Sequence, residues 1–448
     1  MSEIKLKFLG AAESVTGTCT LVTCGKTTLL VDCGVIQNGQ KENELNYKPF
    51  SFDVHGLNAV IMTHGHMDHT GRMPLLVSQG FTGEIIAHPA SAELASLIWF
   101  DSVRIHNSGS EPLYNENAVN NTIAKIRTVQ YENEIEINDV KLTFFDAGHI
   151  LGSSHVLINY KGKRVIFSGD IGIRQTPIIR DPYVKWTENV HGVVIESTYG
   201  NRIHKGRDQT IEEFKEIVRR TISEKGIIII PAFAIGRTQE ILYHLNTLVE
   251  HKHIPVIPVF VDSPMANRVT QIYRKYTDCY DSVAAMQIFT GDMPLEFRGL
   301  NSVMSSSDSK SIKNTLPPYI IIAGSGMCNG GRVVSHLQNN LNNKKTTVMF
   351  VGYQGYGTTG RSLVDGEGSV FIGGEYCDVA ARIETLNGFS AHADKQELID
   401  WAKAVKGNDI KWFVNHGEKA ASEALASELV KANCGTAEVA KMGMEVVI

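Results

Sequence analysis

The sequence predicts an α/β protein of two units, one of which is split by insertion of the other. Three observations carry that expectation. Short apolar, β-rich runs bounded by Gly, Asp or Asn recur up to Glu196; the rhythm then changes to long amphipathic helices alternating with continuous apolar strands; and from about Asp378 the first style returns. These shifts place the split unit at 1–203 and 378–448 and the insert at 204–377. At roughly 150 residues per domain, a chain of 448 residues is too long for one core.

The first strands are KLKFLG, CTLVTC, TTLLVDCG, NAVIMTHGH and GEIIAH, followed by KLTFFDAGH, SHVLINY, KRVIFSGD and GVVIEST. Helices are expected after His69 and near Ser91 to Val103, whereas the Asn-rich stretch at Asn115 to Asn121 and the Ser-rich stretch at Ser302 to Ser311 read as solvated surface. In the insert, Ile211, Phe214, Ile217, Val218 and Ile222 fall at helical spacing and predict a helix over Arg207 to Lys225, ended by Gly226. The strand GIIIIP follows, then a helix from Arg237, the strand IPVIPVFVD, a helix from Met265, the strand YIIIAG, a helix after Gly331 and the strand TTVMFVG. Fully apolar strands alternating with helices predict a doubly wound parallel sheet. Open parallel sheets bind ligands at the carboxyl ends of their strands, which makes Arg237, Ser263 and Ser325 candidate substrate-binding residues.

Composition excludes several classes. Hydrophobic residues are 43% and charged residues 20% of the chain, the balance of a soluble globular protein. A formal net charge of −5 provides no global positive field for nucleic acid or an anionic membrane, so phosphate binding must be local. The seven cysteines are odd in number and never spaced CxxC, which argues against a disulfide framework or a thiolate zinc ribbon and for a reducing, cytoplasmic location. No apolar run approaches the ~18 residues of a membrane span, and no export signal opens the chain, so no membrane partner is expected.

The strongest chemical signal is THGHMDH, which sets His64, His66, Asp68 and His69 directly after an apolar run. On a helix these side chains would scatter around the axis, whereas a strand end followed by a tight turn lets them converge. Imidazoles and a carboxylate are the ligand set of zinc or a similar divalent ion. Four ligands exceed what one catalytic zinc with an open position takes, so Asp68 and His69 are expected to face a second ion. DAGHILGSSH adds His149 and His155. Five apolar runs finish in Asp32, His64, Asp170, Glu196 and His416, and strands sharing a sheet direction would bring these residues to one edge. Asp32, beside Cys33 and Gly34, is expected to support a ligand rather than bind an ion.

The ordered set HxHxDH, AGH and SGD resembles the metallo-β-lactamase superfamily. ESTYG at Glu196 to Gly200, FSAHAD around His392 and NHGE at His416 are similar to motifs A, B and C of its β-CASP nucleases. The likeness runs nearly end to end, through LGAAESVTG, PAFAIGRTQEIL, VDSPMA, AGSGMCNGG and VGYQGYGTTGR. It implies a metallo-β-lactamase αββα sandwich split by a doubly wound β-CASP domain. It further implies one metal on His64, His66 and His149, a second on Asp68, His69 and His416, and Asp170 bridging them. Glu196 would orient His392 beside the scissile phosphate, so that Asp68, Glu196 and His392 are the implied catalytic residues. The implied cofactors are two zinc ions, with manganese as the other candidate. The implied activity is hydrolysis of single-stranded RNA by an endoribonuclease, with the substrate held between the two units and a homodimer as one assembly. Rival readings are a small-molecule metallo-hydrolase, a DNA-processing β-CASP nuclease and a scaffold subunit; the intact ligand set argues against the last. Gly65 and Asn201 depart from the alanine and aspartate expected there, and neither is a ligand.

Overall fold

The computed structural model describes residues 3–37, 43–106 and 112–448. The described chain divides into two compact units, Met1–Ile203 with His392–Ile448, and His204–Ala391.

Alternation of buried and half-exposed residues, as in Ile4–Phe8 and Thr20–Cys24, gives strands of the first unit one apolar face that must be covered. Among the described residues, two seven-stranded sheets do this by packing together. The first runs in the order Glu445–Val447, Ile4–Phe8, Thr20–Cys24, Thr27–Val31, Ala59–Ile61, Glu84–Ala87, Ile126–Thr128. The second runs Thr436–Val439, Lys411–Val414, Gly192–Ile195, Lys163–Phe167, Ser154–Tyr160, Val140–Asp146, Glu134–Ile137. Leu6, Phe8, Val22 and Ile61 of one sheet meet Leu142, Phe144, Ile158 and Phe413 of the other in a buried layer. Each such side chain contributes on the order of 1.5–3 kcal/mol on burial. Helices close both outer faces: Met73, Leu76 and Trp99 cover the first sheet, and Leu398, Trp401, Leu425 and Leu429 cover the second. The unit is an αββα sandwich.

In the second unit the strands Leu300–Ser302, Val259–Val261, Tyr319–Ala323, Ile227–Pro231, Thr346–Phe350 and Arg382–Thr385 form one sheet in that order, parallel throughout. Ile227–Pro231 and Tyr319–Ala323 are buried along their whole length, as strands covered on both faces must be.

Two differences from expectation have clear causes. The segment 378–391, expected to rejoin the split unit, instead supplies the edge strand Arg382–Thr385, which pairs with Thr346–Phe350. Its apolar run is too short to identify which sheet it completes. The Asn-rich stretch is a helix, Glu116–Ile123, capped by the Asn115 side chain accepting from Ala118 N–H, with Ala118, Val119 and Thr122 buried. No helix among the described residues is long and apolar enough to cross a membrane.

Candidate metal centre

The five strand ends carrying Asp32, His64, Asp170, Glu196 and His416 belong to two sheets rather than one. Thr27–Val31 and Ala59–Ile61 are parallel neighbours in the first sheet. Lys163–Phe167, Gly192–Ile195 and Lys411–Val414 are parallel neighbours in the second. The sandwich stacks these two sets so that their carboxyl ends share one rim. His66 stands at the N-cap position of the short helix Met67–Thr70, which turns Asp68 and His69 back toward His64. The turn lies against the helix Pro89–His106 so closely that a Cβ on Gly65 would come 2.9 Å from the Leu94 Cβ. The departure from alanine at this position thus has a local steric counterpart.

The ligand-type atoms converge in two sets. His64 Nε2 lies 3.1 Å from His66 Nδ1, which lies 3.3 Å from His149 Nε2. Asp170 Oδ2 is 3.4 Å from His64 Nε2 and 3.5 Å from His149 Nε2. In the second set His69 Nε2 is 3.2 Å from His416 Nε2, and Asp68 Oδ2 is 3.4 Å from the latter. Asp170 Oδ1 stands 3.2 Å from His69 Nε2. A tetrahedral ion with bonds of ~2.0–2.1 Å separates its ligand atoms by about 3.3 Å, the spacing seen here. Asp170 is buried, neither of its oxygens has a hydrogen-bond partner among the described residues, and each faces a different set. A buried carboxylate left this way costs several kcal/mol unless cations meet it. The residues therefore fit a metal between each set and Asp170.

The electrostatics differ from ligand to ligand: burial lowers the His69 pKa, but Asp170 and Asp32 outweigh it and raise it well above the usual histidine range. Burial, helped by His69, pushes His64 well below its usual pKa and keeps it a neutral donor. Asp170 is held well below the carboxylate range, because the surrounding imidazoles outweigh the burial that would raise it. Asp32 accepts from Thr63 N–H and Oγ1–H and lies 2.8 Å from His69 Nδ1, which orients that ring with Nε2 toward the site. Glu196 accepts from Ile171 N–H at 2.6 Å and Thr198 N–H at 3.3 Å, and both of its oxygens lie 3.2 Å from His392 Nδ1. Burial lowers the His392 pKa, but Glu196 and Asp170 more than offset it and raise it to about 9.

His155, which also follows a strand, is no ligand: its ring is buried between Ser168 O, 2.6 Å from Nδ1, and the Trp401 Nε1–H that it accepts at 3.1 Å. Arg237 does not stand free for phosphate. Its side chain is 11% exposed, donates to Glu240 at 2.9 Å one helical turn on, and lies over the Phe389 ring. The Ser263 hydroxyl accepts from Ala266 N–H as a helix cap, and the Ser325 hydroxyl is buried without a hydrogen-bond partner among the described residues. Sequence reasoning passed over Thr63 and Thr198, whose hydroxyls lie 3.2 Å from His64 Nδ1 and His416 Nδ1. Their only signal is adjacency to a ligand or acid, a property many threonines share.

Comparison with known proteins bears on this geometry. Residues 14–220 match the Metallo-beta-lactamase superfamily, 238–363 the Beta-Casp domain, and 376–441 the Zn-dependent metallo-hydrolase RNA specificity domain. The chain is 34% identical over 411 residues to Ribonuclease TTHA0252 of Thermus thermophilus, covering 92% of each protein. It belongs to the β-CASP family of the metallo-β-lactamase superfamily. Another similar β-CASP chain, Transcription termination factor FttA of Methanosarcina mazei, is 31% identical over 96% of this chain and 69% of that one. A solved structure of a protein of unknown function from Enterococcus faecalis shares the fold over the full length of both chains, with a TM-score of 0.60 at 11% identity.

Proposed function

We propose that this β-CASP protein is a zinc-dependent ribonuclease that hydrolyses internal phosphodiester bonds of single-stranded RNA, in RNA processing or turnover. The observation that carries the reading is Asp170: a buried carboxylate whose two oxygens each face a separate histidine set. His64, His66 and His149 would hold one zinc ion, Asp68, His69 and His416 the other, with Asp170 shared. The ribonuclease relative supports RNA as substrate.

Paired divalent ions at such a site activate water and offset charge developing on phosphoryl oxygens. The protein's own part is positioning and proton supply. Glu196, fixed by two backbone N–H groups, holds His392 through Nδ1. Glu196, with both oxygens beside Nδ1, favours the imidazolium form of His392, which can donate to a phosphoryl or leaving oxygen. Asp32 and Thr198 fix the rings of His69 and His416, so that little reorganisation accompanies the reaction. A small-molecule hydrolase of this fold has no need of the His392 and Glu196 pair.

The test uses end-labelled single-stranded RNA and DNA of one sequence, with chelator and with zinc added back. Internal cleavage of RNA, abolished by chelator and restored by zinc, with DNA cut far more slowly, is expected. RNA left intact by protein that hydrolyses small esters, or cleavage indifferent to chelator, overturns the reading.

A further inference from the structure

The second unit presents a set of exposed rings that the hydrolytic site does not use. In its sheet, Tyr319–Ala323, Ile227–Pro231 and Thr346–Phe350 are parallel neighbours, so the loops after them leave the same edge side by side. Two of these loops hold Phe233, Tyr353 and Tyr356, which are 50%, 58% and 95% exposed. Leaving such large apolar surface in water is unfavourable, and three exposed aromatic rings on loops that leave one sheet edge side by side need an explanation. The loops are cross-tied. Gln354 Nε2–H donates to Gly326 O at 3.0 Å, Gly360 N–H to Met327 O at 3.0 Å, and Thr359 N–H to Asn329 Oδ1 at 2.9 Å. A Cβ on Gly326 would lie 3.0 Å from the Phe233 ring, so Phe233 rests on the same glycine-rich turn. Around the rings the backbone is bare, for a Cβ on Gly330, Gly352 or Gly357 would meet nothing within 4 Å.

We propose that Phe233, Tyr353 and Tyr356 form a stacking platform for the bases of single-stranded RNA, an inference that rests on the ribonuclease reading above. The patch is aromatic rather than aliphatic, and a flat ring on a bare glycine backbone admits a base of any identity. Charge favours the same occupant. With a net charge of −5 and Arg237 engaged by Glu240, the protein cannot draw its RNA affinity from a broad positive field, and stacking provides affinity without charge.

The platform is tested on the zinc-loaded full chain by the KM for a labelled single-stranded oligoribonucleotide, with a base-free abasic oligonucleotide as competitor. Tyr353→Ala and Tyr356→Ala should each raise the KM by about 5- to 150-fold, the usual loss of one base–aromatic contact. The inhibition constant of the abasic competitor should not move, and Tyr353→Phe and Tyr356→Phe should restore the KM. An unchanged KM in both alanine variants overturns the platform. So does an equal rise in the abasic inhibition constant, which would mean the loops contact the backbone or have lost their fold. If wild-type protein does not cleave the oligoribonucleotide at all, the ribonuclease reading itself fails, an outcome separate from either.

Discussion

Asp170 concentrates the chemistry of the site in one side chain. With one oxygen toward His64 and His149 and the other toward His69, its removal should strip both ions rather than one. Asp170→Ala is expected to lower bound zinc from two equivalents to less than one by elemental analysis; a variant retaining both equivalents refutes the shared role. His392 should behave in the opposite way. His392→Ala should keep both ions and lose on the order of 10²–10⁴ in rate, the range of a positioned acid or base, with Glu196→Gln milder. Loss of metal in either variant would make the pair ligands instead of a proton donor and its support. His155 carries a pH dependence of a different origin. Burial drops its pKa to about 4, against about 6.5 in an unfolded chain, outweighing the Ser168 carbonyl beside Nδ1, which favours the charged ring. A depressed histidine contributes stability that is complete above pH ~6.5 and is lost as pH falls toward 4, on the order of 3 kcal/mol in all. Chemical denaturation should therefore show wild type losing more stability across that window than His155→Gln, and parallel curves would place the acid sensitivity elsewhere.

Between residue and molecule stand the turns that press strand ends together. The loop after Thr27–Val31 is zipped to the helix Met67–Thr70 by Cys33 N–H donating to His69 O and Val35 N–H to Met67 O, at 2.8 and 2.9 Å. Gly34 sits at the closest point, where a Cβ would come 1.6 Å from Asp68 O. Backbone cannot yield as a side-chain tip can, so Gly34→Ala should push away the helix that carries Asp68 and His69. The expected result is about 1–3 kcal/mol less stability and weaker zinc retention on dialysis. Gly368→Ala, where a Cβ would meet nothing within 4 Å, serves as the reference, and equal zinc retention in the two variants would dismiss the steric argument. The Asn-rich helix at Glu116–Ile123 shows why such elements resist reading from composition. A run of polar residues still buries one face, and the cap that starts it is itself one of the asparagines.

Over the whole chain, metal binding bears on one unit. Among the described residues, the clusters of three or more ligand-type side chains lie in Met1–Ile203 and His392–Ile448, and they join the rims of both sheets of that sandwich. An ion at a hundred times its Kd stabilises what it binds by about 2.7 kcal/mol. Chelation should therefore reduce hydrogen-exchange protection in Ala59–Ile61 and Lys411–Val414 and leave Ile227–Pro231 and Tyr319–Ala323 as they were. Equal loss in all four strands would show that the two units open together.

Much of the site was legible because its chemistry is local. His64, His66, Asp68 and His69 fall within six consecutive positions, and the turn they need follows from the strand before them. Glycine punctuation and continuous apolar runs identify the α/β alternation and the inserted parallel sheet for the same reason: hydrophobic period and backbone freedom are properties of a few neighbouring residues. Three things waited for the tertiary structure. Strand ends predicted to meet along one sheet edge come from two stacked sheets, since a short apolar run does not say which sheet it will join. The strand Arg382–Thr385 went to the second unit because Thr346–Phe350 had an open edge to pair. Arg237, free in the sequence, is claimed by Glu240 and Phe389, because whether a cation faces solvent depends on what long-range packing sets beside it.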